Sequence, residues 1–265
     1  MHYDDKIELR KIQTEDGLRI GNKVAVVDSN TNRVLGIVSP RYKLIHNTDL
    51  LKSVLPAVEE LKLNGKPPTI SVTKGGSVTF FKFLGDKLIG EIQKGDIVRF
   101  GVEFFNSYDG SMPVGFHIIA ERLVCTNGLV VPKSITEIHI RHIGDASSAE
   151  VRDRLKDYAP KVQAAMNLWK SWNEIHPKEE LIKHFLKQSV GKRLAQEFEH
   201  RYKSLPTPKQ TLWEFYNILT FHISHQIKTR KEEIKALRQF NTNETLTNRL
   251  ARIFSDKEVS DAITN

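Results

Sequence analysis

The hydrophobic pattern of this chain changes period near Ser147, and that change limits its architecture more than any single motif does. Before it, apolar and polar residues alternate over short runs, the period of strands with one buried face. After it, apolar residues recur every three to four positions, the period of amphipathic helices. Residues 24–27 and 34–38 flank the Asx-rich stretch 28–32 and predict a hairpin. Residues 42–45 predict a short strand, after which Asn47 or Thr48 caps a helix to about Leu61 that Pro56 kinks. Residues 69–73 and 77–83, joined by Lys74-Gly75-Gly76, predict a second hairpin. Residues 96–104 and 117–125 add two strands around a turn at 107–113. Strands, one helix, then more strands predict an α+β fold with an antiparallel sheet.

Beyond Ser147 helices are predicted over 148–175, from Pro177 to about Tyr202, over 212–240 with Thr211 as cap, and near 244–254. The expected organisation is a mixed α+β domain over 1–146 with helices packed on its sheet, and a basic helical region over 147–265. That second region either forms its own bundle or packs on the same core.

Composition narrows the class. An apolar fraction of 39% and a charged fraction of 27% describe a soluble globular chain. No apolar run approaches the roughly 18–20 residues that span a bilayer. The polar start Met1-His2-Tyr3-Asp4-Asp5-Lys6 does not resemble a secretory signal, and one cysteine excludes an internal disulfide framework. A cytoplasmic location with no membrane partner is expected. The net charge of +8 favours acidic partners, nucleic acid first among them. Residues 1–140 hold 18 basic against 16 acidic side chains, whereas residues 141–265 hold 22 against 16, so the helical half carries most of the excess.

Candidate sites follow from residue type and spacing. The turn at Asn106-Ser107-Tyr108-Asp109-Gly110-Ser111 and the strand end Arg122–Asn127 place Asn106, Ser107, Asp109, Arg122 and Asn127 beside apolar strands. An unpaired buried polar group there would cost about 1–3 kcal/mol. These residues are either a structural hydrogen-bond cluster that fixes a hairpin or a binding site. Cys125 reads as a small buried residue of an apolar strand. His139-x-x-His142 and His222-x-x-His225 offer paired imidazoles, but neither segment carries the further ligands of a zinc motif, so no metal and no cofactor are expected. Lys74-Gly75-Gly76 lacks the phosphate-loop pattern and reads as a tight turn. Lys82 and Arg99 on aromatic strands, with Lys192, Arg193, Lys228, Arg230, Lys231, Lys235 and Arg238 on the helices, are the candidate phosphate contacts.

Three segments, Ser107-Tyr108-Asp109-Gly110-Ser111, Arg122-Leu123-Val124-Cys125-Thr126-Asn127 and Thr211-Leu212-Trp213 with Asn217-Ile218-Leu219-Thr220, resemble the phage/plasmid-like protein family called domain of unknown function 932. The likeness runs from about residue 20 to 235. Tyr108 stands where the family often has histidine, so no chemistry needing an imidazole there carries over. The resemblance implies a phage, prophage or plasmid context and, through it, DNA maintenance, recombination or defence. The leading expectation is a non-catalytic DNA-binding protein in single-strand annealing or recombination, assembled as a homo-oligomer. The alternatives are an enzyme with a polar site around Asp109, Arg122 and Asn127, or a protein-interaction module that docks through the 212–240 helix.

Overall fold

A computed structural model describes residues 6–124, 127–133, 135, 138–226 and 235–255. Two antiparallel sheets occupy the first half and helices dominate the second, so the fold is α+β. The smaller sheet has the order β1 (Ile7–Gln13), β2 (Arg19–Asp28), β3 (Arg33–Val38). The larger runs β4 (Thr69–Thr73), β5 (Val78–Gln93), β6 (Asp96–Ser107), β7 (Val114–Arg122), β8 (Asn127–Val130), with β9 (His139–Ile140) pairing the start of β7. Helix α1 (Asn47–Glu60) lies between the sheets in sequence.

The strand register assigns two faces to the large sheet. Phe81, Phe104 and Phe116 line up across β5, β6 and β7, as do Phe83, Val102 and Ile118, and all six are buried in the main core. Helix α1 contributes Leu50, Val54 and Val58 to that core. The helical half supplies the rest, from α2 (Ser148–Arg154), α3 (Tyr158–Glu174), α4 (Glu179–Ser189), α5 (Lys192–Lys203), α6 (Leu212–Phe221) and α7 (Lys235–Ser255). Trp169 of α3 stacks on Phe100 with ring centroids 5.6 Å apart. Helix and sheet therefore share one apolar core. The opposite face pairs Phe80 with Phe105, Lys82 with Glu103 and His117, and Arg99 with Glu121. Helix α7 crosses it, meeting β4 and β8 at the two edges. A charged row at mid-strand is costly to cover, and here it lies under a helix.

Several boundaries differ from the sequence expectation. Residues 42–45 form no strand; Tyr42 and Ile45 are buried as single anchors of an irregular linker. The residue before α1 is His46, without a side-chain cap, and Asn47 is the first helical residue; its N–H donates to Tyr108 Oη at 2.9 Å. Pro56 sits within α1, which continues to Glu60. The helix expected from Pro177 to Tyr202 is two, because Val190 is extended (φ −140°) and Gly191 precedes α5. The stretch expected to be one helix over 212–240 leaves α-geometry after Phe221 in a π-turn, His222–Gln226. The cap at Thr211 forms as its sequence suggests, and Ser147 caps α2 in the same way, each accepting from the backbone N–H three residues on.

Candidate functional site

The five polar residues expected to cluster fall into two separate networks at opposite ends of β7. At one end, Asn106 Nδ2 donates to Ile45 O and to Asn47 Oδ1, both at 2.8 Å, and Ser107 Oγ donates to Met112 O at 2.6 Å. Tyr42 Oη donates to Ser107 O, which ties the linker to β6. Asp109 accepts from Ser111 N and Ser111 Oγ and pairs with Lys74 at 3.1 Å. Burial opposes its ionisation, but these donors outweigh it and hold the carboxyl below the usual range.

At the other end, Arg122 grips Asp96 through two 2.7 Å hydrogen bonds and Glu214 of α6 at 2.9 and 3.2 Å. Trp213 Nε1 donates to the same Asp96 at 2.8 Å. Asn127 Nδ2 donates to Asn217 O at 3.1 Å. Both networks join secondary-structure elements, and among the described residues Asp109 and Arg122 bond to different partners. Cys125 lies outside the described residues.

The basic candidates also separate. Lys228, Arg230 and Lys231 lie outside the described residues, and Lys235 is described by its backbone alone. Lys82 and Arg99 are half-buried on the α7-covered face of the large sheet. Lys192 and Arg193 are exposed in the first turn of α5, a turn without an acidic residue. Arg238 borders a groove of about 280 Å³ between α5 and α7, with Leu194, Phe198, His222 and Gln226. Some other cations of this half are neutralised locally. Lys183 and Lys203 share Glu179 and Glu199, and Arg201 pairs with Glu197.

The paired histidines of the sequence do not act as pairs. His142 Nδ1 bonds Lys43 O at 3.0 Å and its ring stacks on Tyr42, while His222 bonds Gln226 and His225 packs on Phe221. His139 instead meets His117, whose strand runs beside β9. Their Nε2 atoms are 3.1 Å apart, and Glu244 Oε1 of α7 stands 3.2 Å from the first and 3.6 Å from the second. Among the described residues this is where three metal-ligating side chains converge. Side-chain exposure is 1% for His117, 27% for His139 and 16% for Glu244.

Burial resists a charged Glu244, yet contacts with His117 and Lys133 hold its carboxyl down to about 2. Phe240 stacks on His117, with centroids 4.6 Å apart and planes 3° off parallel. Beside this stack, a cavity of about 300 Å³ is lined by Lys82, Glu103, Ser224, His225, Gln239 and Asn243, among others. Burial pushes the Glu103 carboxyl above the usual range against the pull of Lys82 and His117.

Sequence reasoning missed this convergence because its members lie on β7, β9 and α7, at no motif spacing. The available signal was weaker. Lys82, Glu103 and His117 each interrupt a locally apolar run, 80–84, 100–105 and 114–120.

The fold and this site define an α+β protein whose antiparallel sheet buries one face in a helical core and carries a titratable cluster under a helix on the other. A family model described as domain of unknown function (DUF932) matches residues 34–246, well over half of the chain. The chain belongs to that family. No curated protein and no solved structure matches it. No helix among the described residues is long and apolar enough to cross a membrane.

Proposed function

We propose that this chain is a cytoplasmic, non-catalytic DNA-binding protein of phage or plasmid origin, acting in single-strand annealing or recombination as a homo-oligomer. The observation that carries the reading is the positive charge that α5 and α7 leave without ion pairs. Ion pairs cancel much of the positive charge of α4 and α5, whereas Lys192, Arg193 and Arg238 have no acidic partner within 4 Å among the described residues. Two cations at the N-terminus of a helix are disfavoured by its dipole by about 0.3–1 kcal/mol each, and an anion there relieves both. The groove itself carries His222 and Gln226, able to contact base edges or faces, next to Arg238.

The test is fluorescence anisotropy of single-stranded and duplex oligonucleotides over a salt series. Binding is expected to weaken steeply with salt, and Lys192→Glu, Arg193→Glu and Arg238→Glu are expected to weaken it about equally across sequences. Absence of binding at low ionic strength overturns the proposal. The enzyme alternative built on Asp109, Arg122 and Asn127 gains no support from their separation into two networks.

A further inference from the structure

We propose that His117, His139 and Glu244 form a binding site for one divalent transition-metal ion of the zinc type, clamping α7 to β7 and β9. The inference is independent of the nucleic-acid reading. Three donor atoms 3.1, 3.2 and 3.6 Å from one another describe one face of a coordination polyhedron. With metal–ligand bonds of about 2.0–2.1 Å, a tetrahedral site has ligand–ligand edges of about 3.3 Å.

Proton bookkeeping points the same way. A neutral imidazole carries a single N–H, and His117 Nε2 can direct it at His139 or at Glu244 but not at both. Glu244 Oε1 has charged neighbours yet no well-aligned hydrogen bond. A cation bound by all three atoms satisfies lone pairs that hydrogen bonds leave frustrated.

Two imidazoles and one carboxylate suit zinc, iron(II) or cobalt(II), whereas magnesium and calcium favour oxygen-rich sites. His117 is held rigidly by Phe240 on one side and Phe105 at the edge, and His139 also meets the edge of Phe105. Rigid donors lower the ordering cost of binding. Lys133 Nζ reaches the same Glu244 oxygen at 3.1 Å from the exposed side, so its ammonium competes with a metal ion for that carboxylate. Its side chain is 44% exposed and has room to withdraw into solvent.

The experiment uses untagged full-length protein, stripped with a chelator and titrated with Zn²⁺ by calorimetry and Co²⁺ by visible absorption. Mg²⁺ and Ca²⁺ serve as comparisons. One equivalent of Zn²⁺ or Co²⁺ is expected to bind, with a rise in melting temperature and no comparable response to Mg²⁺ or Ca²⁺. Glu244→Gln and His139→Ala are expected to weaken binding by at least about 100-fold, the loss of a direct ligand exceeding the 10–100-fold typical of its supporting partners. Lys133→Met is expected to tighten it several-fold, and exposed His184→Ala to leave it unchanged.

X-ray absorption at the zinc edge of the wild-type protein reads the ligands without any variant having to fold, and two imidazoles in the first shell are expected. The proposal fails if the wild type takes up no stoichiometric metal. It also fails if the absorption spectrum lacks imidazole scattering, or if folded Glu244→Gln and His139→Ala bind as the wild type does.

Discussion

Arg122 shows how a single side chain holds the two halves together. Its guanidinium engages Asp96, the first residue of β6, and Glu214 of α6, and it lies 5.7 Å over the Trp213 ring. Burial opposes the charge, but the two carboxylates more than compensate and raise its pKa. Arg122→Met would leave Asp96, 4% exposed, without its counter-charge. A loss of about 3–5 kcal/mol is expected in urea unfolding, with less for the double change Arg122→Met with Asp96→Asn, because both charges then go together. A double variant as unstable as the single one would show that the charge pair is not what matters. Gly36 is a second residue-scale constraint. A Cβ there would sit 2.4 Å from Asp109 Cα and 2.9 Å from Tyr108 O, backbone atoms that cannot swing aside. Gly36→Ala is expected to cost about 1–3 kcal/mol in the same assay. The turn at Asn106–Ser111 therefore constrains β3 as well as α1.

At the scale of elements, the sequence disclosed type better than extent. Strands with strict alternation, such as residues 96–104, were legible, because one face of β6 is buried in the core. Strand β1 was not. Its residues Glu8, Leu9, Arg10 and Lys11 are all exposed, and beyond the buried Ile7 it is held by backbone pairing to β2. The break after Phe221 was equally hidden, since the apolar spacing continues through Ile223 and carries no sign of a π-turn. The convergence of His117, His139 and Glu244 depends on how β9 and α7 dock, which local periodicity does not encode.

The 39–46 linker also eluded pattern reading, because it is held by scattered anchors. One is reciprocal: Lys43 N–H donates to His142 O at 2.8 Å, and His142 Nδ1 bonds Lys43 O. Burial lowers the His142 pKa against the pull of that carbonyl, so the folded protein keeps the ring neutral where the unfolded chain would protonate it. The unfolded state then binds more protons at mildly acid pH. Stability from this group is fully present above about 6.5 and is lost as pH falls from there through the folded-state pKa. Wild type is expected to lose stability over that window, and His142→Gln to lose less. Parallel unfolding curves for the two proteins between pH 7 and 5 would remove His142 as the cause.

For the whole molecule, the question is whether residues 1–146 could stand apart from the helices that follow. The large sheet turns Phe81, Phe83, Phe100, Phe104 and Phe116 toward the main core, and Trp169, Trp172, Trp213 and Tyr216 of the helical half belong to that core. Arg122, Asn127 and Val130 add polar ties from the sheet to α6. A protein cut after Ala146 would expose those phenylalanines together, and each buried aromatic of this kind contributes about 1.5–3 kcal/mol by its burial alone. Set against a typical net stability of about 5–15 kcal/mol, losing the cover of five such rings is not survivable for a cooperative fold. The isolated 1–146 fragment is therefore expected to lack sharp near-ultraviolet circular dichroism and to bind a hydrophobic dye. The full chain is expected to melt in one calorimetric transition whose van't Hoff and calorimetric enthalpies agree. Two resolved transitions, with the fragment reproducing one of them, would instead mean that the shared core is an interface between independent units. The groove between α5 and α7 would then have to be tested on the helical unit alone.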